Sequence, residues 1–570
     1  MAHRTDLTDR IKHYAKQAFE EDPRGSQSLE EYLENLQKPE SSAALPLPTD
    51  TSHPLPHYFI SSSHNTYLSG NQLWGKSTTD SYKNVLKRGC RCIEIDLWDG
   101  GSPSSSEAEE PSNNEDRDVK NLGGLLKKGL SRLRSHSNPK RAETDLATSD
   151  DKLMPTPWRT DSSRDEPVVY HGYTATKEMP FRKVCEVVRD YAFSKSDLPL
   201  IVSLEVHCHS PQQEIAVELM NDYWSGYLQR MPKDFSDSTP MPTLESLKNT
   251  ILVKVKWTPP EKAKAKERDA NKSPSKRGND KDSSGDEDAS EAVKKGKIIE
   301  SLSNLGVFTR AFHFDSFDQV AATIPTHVFS LGESKLLEAC EKQPEKLFEH
   351  NLHHLMRAYP KGSRLRSSNL DPAPFWRFGI QMVALNFQTM NAAMMLNAAQ
   401  FEGTGGWVLK PKGYLPVEGQ QPSPNRVALD VKIRLWAAQD LGPADDTPSV
   451  YVKCELHVES KAEAEDGQIP RGGKNKGGEY KKRSTMRHSR DPDFGGDCLE
   501  FSGVQQVVPE LSFLRFKVMD DALAQKDRLL GWAAYRIDRL PRGPVLVHLR
   551  GEDSKVNGGK LLLGIQVKTA

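Results

Sequence analysis

RCIEIDLWDG (residues 91–100) sets three apolar side chains, Ile93, Ile95 and Leu97, one residue out of step with two acids, Glu94 and Asp96. Side chains of a strand alternate between its faces, so this run predicts a strand with one apolar face and one face carrying both carboxylates. Its neighbours decide whether that acidic face is a solvated edge or a support for chemistry. HYFISSSHNTY (57–67) leads into His64 and Asn65, and VVYHGY (168–173) delivers His171 just before a glycine. LPLIVSLEVH (198–207) ends an almost wholly apolar run on Glu205, while TILVKVKW (250–257) puts Lys254 and Lys256 on one face. Apolar strands separated by helical segments predict a parallel sheet covered on both sides. Polar residues at the C-terminal ends of several such strands predict a (β/α) barrel with its site at that end.

The inventory has a chemical logic. Asn65, Glu94, Asp96 and Glu205 are oxygen donors, which suit a hard cation such as Ca²⁺ better than zinc. Two histidines can move protons near neutral pH, and two lysines on one strand face offer point charges to phosphate groups.

Composition bounds the rest. At 570 residues the chain is too long for one core. Its net charge of -1 gives no overall bias toward nucleic acid, so no nucleic-acid partner is expected. The seven cysteines show no zinc-ligand spacing and read as reduced core residues. The N-terminal residues lack an apolar signal core, and no apolar run reaches the ~18 residues of a membrane span. A cytoplasmic chain that meets membranes peripherally, as a monomer, is the expectation.

Segments follow from pattern and charge. Residues 1–52 form a short helical segment, and residues 53–257 carry the strands above, interrupted at 101–166 by a polar insertion expected to be disordered. Residues 258–296 are a charged linker, basic and then acidic. Strand and helix signals resume over 297–415. After a Pro/Gly/Gln joint, residues 426–570 read as short alternating strands without a long helix, which predicts a β-sandwich.

Several of these runs resemble a known family. SSSHNTYL, GCRCIEIDLWDG, YHGYT, SLEVHC and LKNTILVKVK resemble the X half of eukaryotic phosphoinositide-specific phospholipase C. HLMRAYP, SSNLDPAPFW, GIQMVALNFQT and GGWVLKP are similar to its Y half, and the last ~145 residues resemble its C2 domain. The resemblance implies an α/β chain: a TIM-type (β/α) barrel, split into X and Y halves by a disordered linker and followed by a C2-type β-sandwich. The build looks delta-like without a pleckstrin homology domain, with residues 1–52 as a remnant of the EF-hand region. The implied activity is Ca²⁺-dependent hydrolysis of phosphatidylinositol 4,5-bisphosphate at the inner face of a membrane, through a cyclic phosphate.

Carried over position by position, the resemblance assigns Ca²⁺ ligation to Asn65, Glu94, Asp96 and Glu205. His64 would stabilise charge on phosphorus, and His171 would protonate the diacylglycerol oxygen. Glu94 is the expected base toward the inositol 2-hydroxyl. Lys254 and Lys256 would hold the 4- and 5-phosphates, with Ser330, Arg357 and Tyr359 around the headgroup.

Some positions depart from the family pattern. Ala175 and Ser363 stand where bulky rim aromatics are common, leaving Leu73 and Trp74 for membrane contact. In the C2-like module Ser449 and Ala522 stand where calcium-ligating Asp residues are expected; Asp445, Asp446 and Asp521 could partly substitute, but a structural sandwich is favoured. Inside the insertion, Leu122, Leu125, Leu126, Leu130 and Leu133 alternate with basic residues at helical spacing, the pattern of an interfacial helix. Beside it, phosphorylated Ser137 would resemble a site read by 14-3-3-type regulators.

Overall fold

The structure, a computed structural model, describes residues 6–101, 165–172, 174, 176–257, 297–419, 422–443, 446–458, 474–476, 479–521 and 527–570. The expected interfacial helix at 122–134, Ser137, the linker at 258–296, Ala175, Asp445 and Ala522 lie outside the described residues.

The first sheet comprises β1 (Tyr58–Ser63), β2 (Cys92–Trp98), β3 (Val168–Val169), β4 (Met179–Pro180), β5 (Leu200–Val206), β6 (Ile251–Lys256), β7 (Arg310–Phe312), β8 (His327–Gly332), β9 (Leu355–Tyr359), β10 (Met382–Leu385) and β11 (Trp407–Leu409). Strands β1, β2 and β5–β10 pair in parallel, and β10 and β2 both flank β1, which closes an eight-stranded barrel. Short β3 and β11 add to it antiparallel, on β2 and β1.

Period-2 alternation sorts the strand residues into two sets. Ile93, Ile95 and Leu97 of β2, with Leu200, Val202 and Leu204 of β5, join the core between strands and helices. There they meet Val184, Cys185 and Val188, the buried stripe of helix Phe181–Tyr191. The alternate residues fill the barrel. Ile60, Cys92, Ile201, Leu252, Val328, Leu355 and Met382 share one apolar cluster and plug its N-terminal end. Two residues further along β2, β5, β6, β8 and β9 the polar set begins, with Glu94, Ser203, Lys254, Ser330 and Arg357. The register places Glu94 beside Ser203, Ser203 beside Lys254, Asp96 beside Glu205, and Ser330 beside Arg357. The plug shuts one end of the barrel, so chemistry has only the other end available.

The second sheet is antiparallel, with ten strands, and folds into the C2-type sandwich. Its main strands are longer than the sequence pattern suggested: Val427–Gln439, Asp493–Val507 and Val556–Thr569 span 13, 15 and 14 residues. The sandwich packs on the barrel through Trp376 against Phe513 at 5.7 Å, and through Arg550 paired to Glu402 at 2.6 Å. Helices Asp9–Glu21 and Leu29–Gln37 start at side-chain caps from Thr8 and Ser28. Their buried residues Ile11, Ala15, Tyr32 and Leu36 lie against Ala437, Leu546 and Leu562 of the sandwich. All seven cysteines are free thiols, five of them buried. No helix among the described residues is long and apolar enough to cross a membrane.

Candidate active site

At the C-terminal end of β1 the chain turns sharply. Asn65 has φ 43°, a left-handed conformation that Asn tolerates better than most residues. The turn lets the Asn65 N–H donate to Glu94 Oε2 at 2.7 Å, while its side-chain amide donates to Gln72 Oε1 at 2.7 Å. With that nitrogen engaged, the Asn65 carbonyl oxygen is the atom left to ligate. Glu94 is buried, and its second oxygen accepts from Arg357 Nη2 at 2.8 Å. Asp96 Oδ2 accepts from the Tyr67 hydroxyl at 2.6 Å, whereas Asp96 Oδ1 is buried with no hydrogen-bond partner.

These contacts set the electrostatics. Burial, then the neighbouring charges of Glu205 and Glu94, hold the Asp96 carboxyl well above its ordinary range. Glu205 sits at the open end with its side chain half-exposed, and His207 Nε2 lies 3.8 Å from it. Burial would raise Glu205, but the His207 contact and the charges of Arg357 and Lys254 outweigh it and bring Glu205 down to about 2. Three carboxylates therefore crowd an end where one buried oxygen lacks any partner. Such an arrangement is unfavourable until a cation joins it. Among the described residues, no three His, Cys, Asp or Glu side chains already form a metal cage. One reason lies in Glu94, whose oxygens are engaged by Arg357 and by the Asn65 N–H. The all-oxygen donor set and the unpartnered Asp96 Oδ1 nevertheless fit a hard cation.

The two histidines are fixed in similar ways. His171 Nδ1 lies 2.9 Å from the main-chain oxygen of Gln72, and a carbonyl can only accept, so this nitrogen carries a proton. Nε2 is then the atom available for proton transfer. His64 Nδ1 lies 3.1 Å from Asn386 Oδ1, and burial lowers the pKa of both imidazoles. Gln72 joins the two: its side-chain nitrogen also donates to Asn386 Oδ1 at 3.3 Å and to Ser367 Oγ at 2.9 Å. The loop carrying His171 packs tightly, since a Cβ on Gly172 would fall 1.9 Å from the Trp98 ring. Trp98 in turn stacks on His207 at 4.1 Å.

The cationic side of the rim is equally built. Lys254 is buried, donates to Ser203 Oγ at 3.2 Å, and is lowered to about 8 by burial and by the charge of Arg357. Lys256 lies exposed two residues on. Arg357 is 2% exposed, and its Nε and Ser330 Oγ are buried without a hydrogen-bond partner. Tyr359 ends the same strand, its ring 5.8 Å from the Arg357 guanidinium. The residues expected to carry catalysis, metal and headgroup binding thus stand at the C-terminal ends of barrel strands or just after them. Tyr67, Gln72, Ser203, His207, Ser367 and Asn386 were not singled out. Tyr67 stood inside a quoted motif, but its role depends on meeting Asp96.

One rim of a closed (β/α) barrel thus holds two anchored imidazoles, four oxygen donors and two buried cations. Residues 51–257 match the X domain of phosphatidylinositol-specific phospholipase C, and residues 302–413 match its Y domain. The chain belongs to this family. It is 29% identical over 545 residues to 1-phosphatidylinositol 4,5-bisphosphate phosphodiesterase delta-3-A of Danio rerio, covering 91% of this chain and 58% of that protein. The zeta-1 phosphodiesterase of Homo sapiens is 33% identical over 374 residues, or 64% of this chain and 50% of its own length. The chain thus spans 58% and 50% of the length of these two relatives. The solved structure of PLC21 from S. officinalis superposes with a TM-score of 0.69 at 24% identity, covering 100% of this chain and 65% of that one. That likeness concerns the fold.

Proposed function

We propose that the chain is a Ca²⁺-dependent phosphodiesterase that hydrolyses phosphatidylinositol 4,5-bisphosphate to diacylglycerol and inositol 1,4,5-trisphosphate, acting peripherally at a membrane. The observation that carries this reading is the rim itself: two anchored imidazoles beside three carboxylates, one with a buried unpartnered oxygen, facing Lys254 and Arg357.

Calcium held by Asn65, Glu94, Asp96 and Glu205 would supply Lewis-acid polarisation of the phosphoryl oxygen and ease ionisation of the inositol 2-hydroxyl. Lys254 and Lys256 hold the 4- and 5-phosphates, while Ser330, Arg357 and Tyr359 receive the rest of the headgroup. Glu94, once released from Arg357, takes the proton of the 2-hydroxyl. That oxygen bonds to phosphorus as the bond to the diacylglycerol oxygen breaks, and His171 Nε2 delivers a proton to the departing oxygen. His64, anchored through Nδ1, meets the charge gathering on the phosphoryl oxygens. A water then bonds to phosphorus as the bond to the inositol 2-oxygen breaks; His171, now neutral, takes the water's proton and Glu94 returns its own to the 2-oxygen.

Release of water-soluble inositol phosphates from vesicles of phosphatidylinositol, its 4-phosphate and its 4,5-bisphosphate tests the reading, with calcium and with chelator. The expected order is bisphosphate first, with no release in chelator. Equal turnover of all three lipids, or turnover without calcium, would contradict it.

A further inference from the structure

The second place where carboxylates gather is one end of the sandwich. Asp440 and Asp446 follow strand Val427–Gln439, Asp491 precedes strand Asp493–Val507, and Asp520 and Asp527 flank the turn between strands Phe513–Asp520 and Arg528–Arg536. The resemblance to C2 modules makes calcium the ligand expected of such loops. These five carboxylates fit it poorly, because a resident donor already holds at least one oxygen of each. Arg528 Nη2 donates to Asp520 Oδ2 at 2.9 Å and to Asp446 Oδ2, and the Ser449 N–H donates to Asp520 Oδ1 at 2.9 Å. Arg490 Nη2 lies 3.0 Å from Asp440 Oδ1, whose other oxygen accepts from Gln439 Nε2 at 3.0 Å. The Tyr451 hydroxyl donates to Asp527 Oδ2, and the Asp440 N–H to Asp491 Oδ1 at 2.8 Å.

Calcium takes six to eight oxygens at about 2.3–2.6 Å and would have to win both Asp446 and Asp520 from a permanently charged guanidinium. Ser449 in the carboxylate's usual place removes one oxygen more and supplies a hydroxyl that meets His488 instead. We infer that Arg528 is the resident cation of Asp446 and Asp520, so that this pair of carboxylates takes no calcium while Arg528 holds it.

Calorimetric titration of the full chain with CaCl₂ tests this. The expected result is the same number of bound ions in the wild type and in Asp446→Asn/Asp520→Asn. Arg528→Gln should gain one further, weaker class of ion that the double asparagine change removes again. Arg528→Lys, which keeps a cation, should match the wild type. Loss of an ion in the double variant with Arg528 present would overturn the inference, and so would Arg528→Gln gaining nothing. If Arg528→Gln does not fold, the wild type against the double variant decides alone. Failure of the barrel reading shows separately, as a wild type whose calcium binding does not depend on Asp96.

Discussion

The barrel rim and the loop end of the sandwich both collect acids at strand ends, yet they resolve the crowding differently. In the sandwich Arg528 bridges Asp446 and Asp520, and Arg490 holds Asp440, so the charge is settled from within. In the barrel the one close guanidinium, Arg357, serves Glu94 and leaves Asp96 Oδ1 buried and unpartnered. A carboxylate count would rank the sandwich end, with five acids, above the rim with three, and hydrogen-bond accounting reverses that order. The end still lacking a partner is the one suited to take a cation from solution.

The largest effect expected from breaking this contrast falls on the barrel. His171→Ala removes the proton carrier and should lower inositol phosphate release by about 10²–10⁴-fold, at an unchanged melting temperature. Near-wild-type turnover would refute the role. Next come the two arginines. Arg357→Met strands Glu94 in a buried position and should cost about 3–5 kcal/mol in denaturant unfolding. Arg528→Ala, at the half-exposed pair, should cost no more than about 1 kcal/mol. Equal losses would mean that the two ends do not differ as described.

Gln72→Leu should reduce kcat by about tenfold or more, since the Gln72 side chain braces Asn65 and the Asn386 partner of His64, while its main-chain bond to His171 remains. Because His64 loses the brace behind Asn386, the pH profile should shift as well; a lower kcat with an unmoved profile would assign Gln72 a packing role only. The smallest effect concerns what the regions share. Burial pushes His350 of the barrel and His457 of the sandwich down to about 3. The unfolded chain protonates such residues below about 6.5, so their contribution is complete above that pH and is lost as pH falls toward 3. His350→Phe and His457→Phe should each narrow the drop in melting temperature between pH 7 and pH 5.

The barrel was legible because its chemistry follows the strand period. Glu94 and Asp96, or Lys254 and Lys256, declare a shared face within a single run. The supporting residues were not legible, for a geometric reason. Asn386 meets His64 only because β10 closes against β1, across 322 positions of sequence. Arg528 was missed for a related reason. It follows a turn poor in pattern, and its pairing with Asp446, 82 positions away, exists only once the sandwich has formed. The docking of the N-terminal helices on Leu546 and Leu562 was equally silent, though their amphipathic stripes were visible.

Asp96 carries the contrast, so the most direct test compares wild type with Asp96→Asn in a calcium-buffered assay of phosphatidylinositol 4,5-bisphosphate hydrolysis. The account predicts wild-type turnover that rises with free calcium, and a loss of at least ~100-fold in the variant at saturating calcium, since metal assistance is worth several kcal/mol. Without calcium the variant should melt no lower than the wild type, because an unpartnered buried carboxylate has been removed. Turnover within twofold of wild type, with an unshifted calcium midpoint, would contradict it.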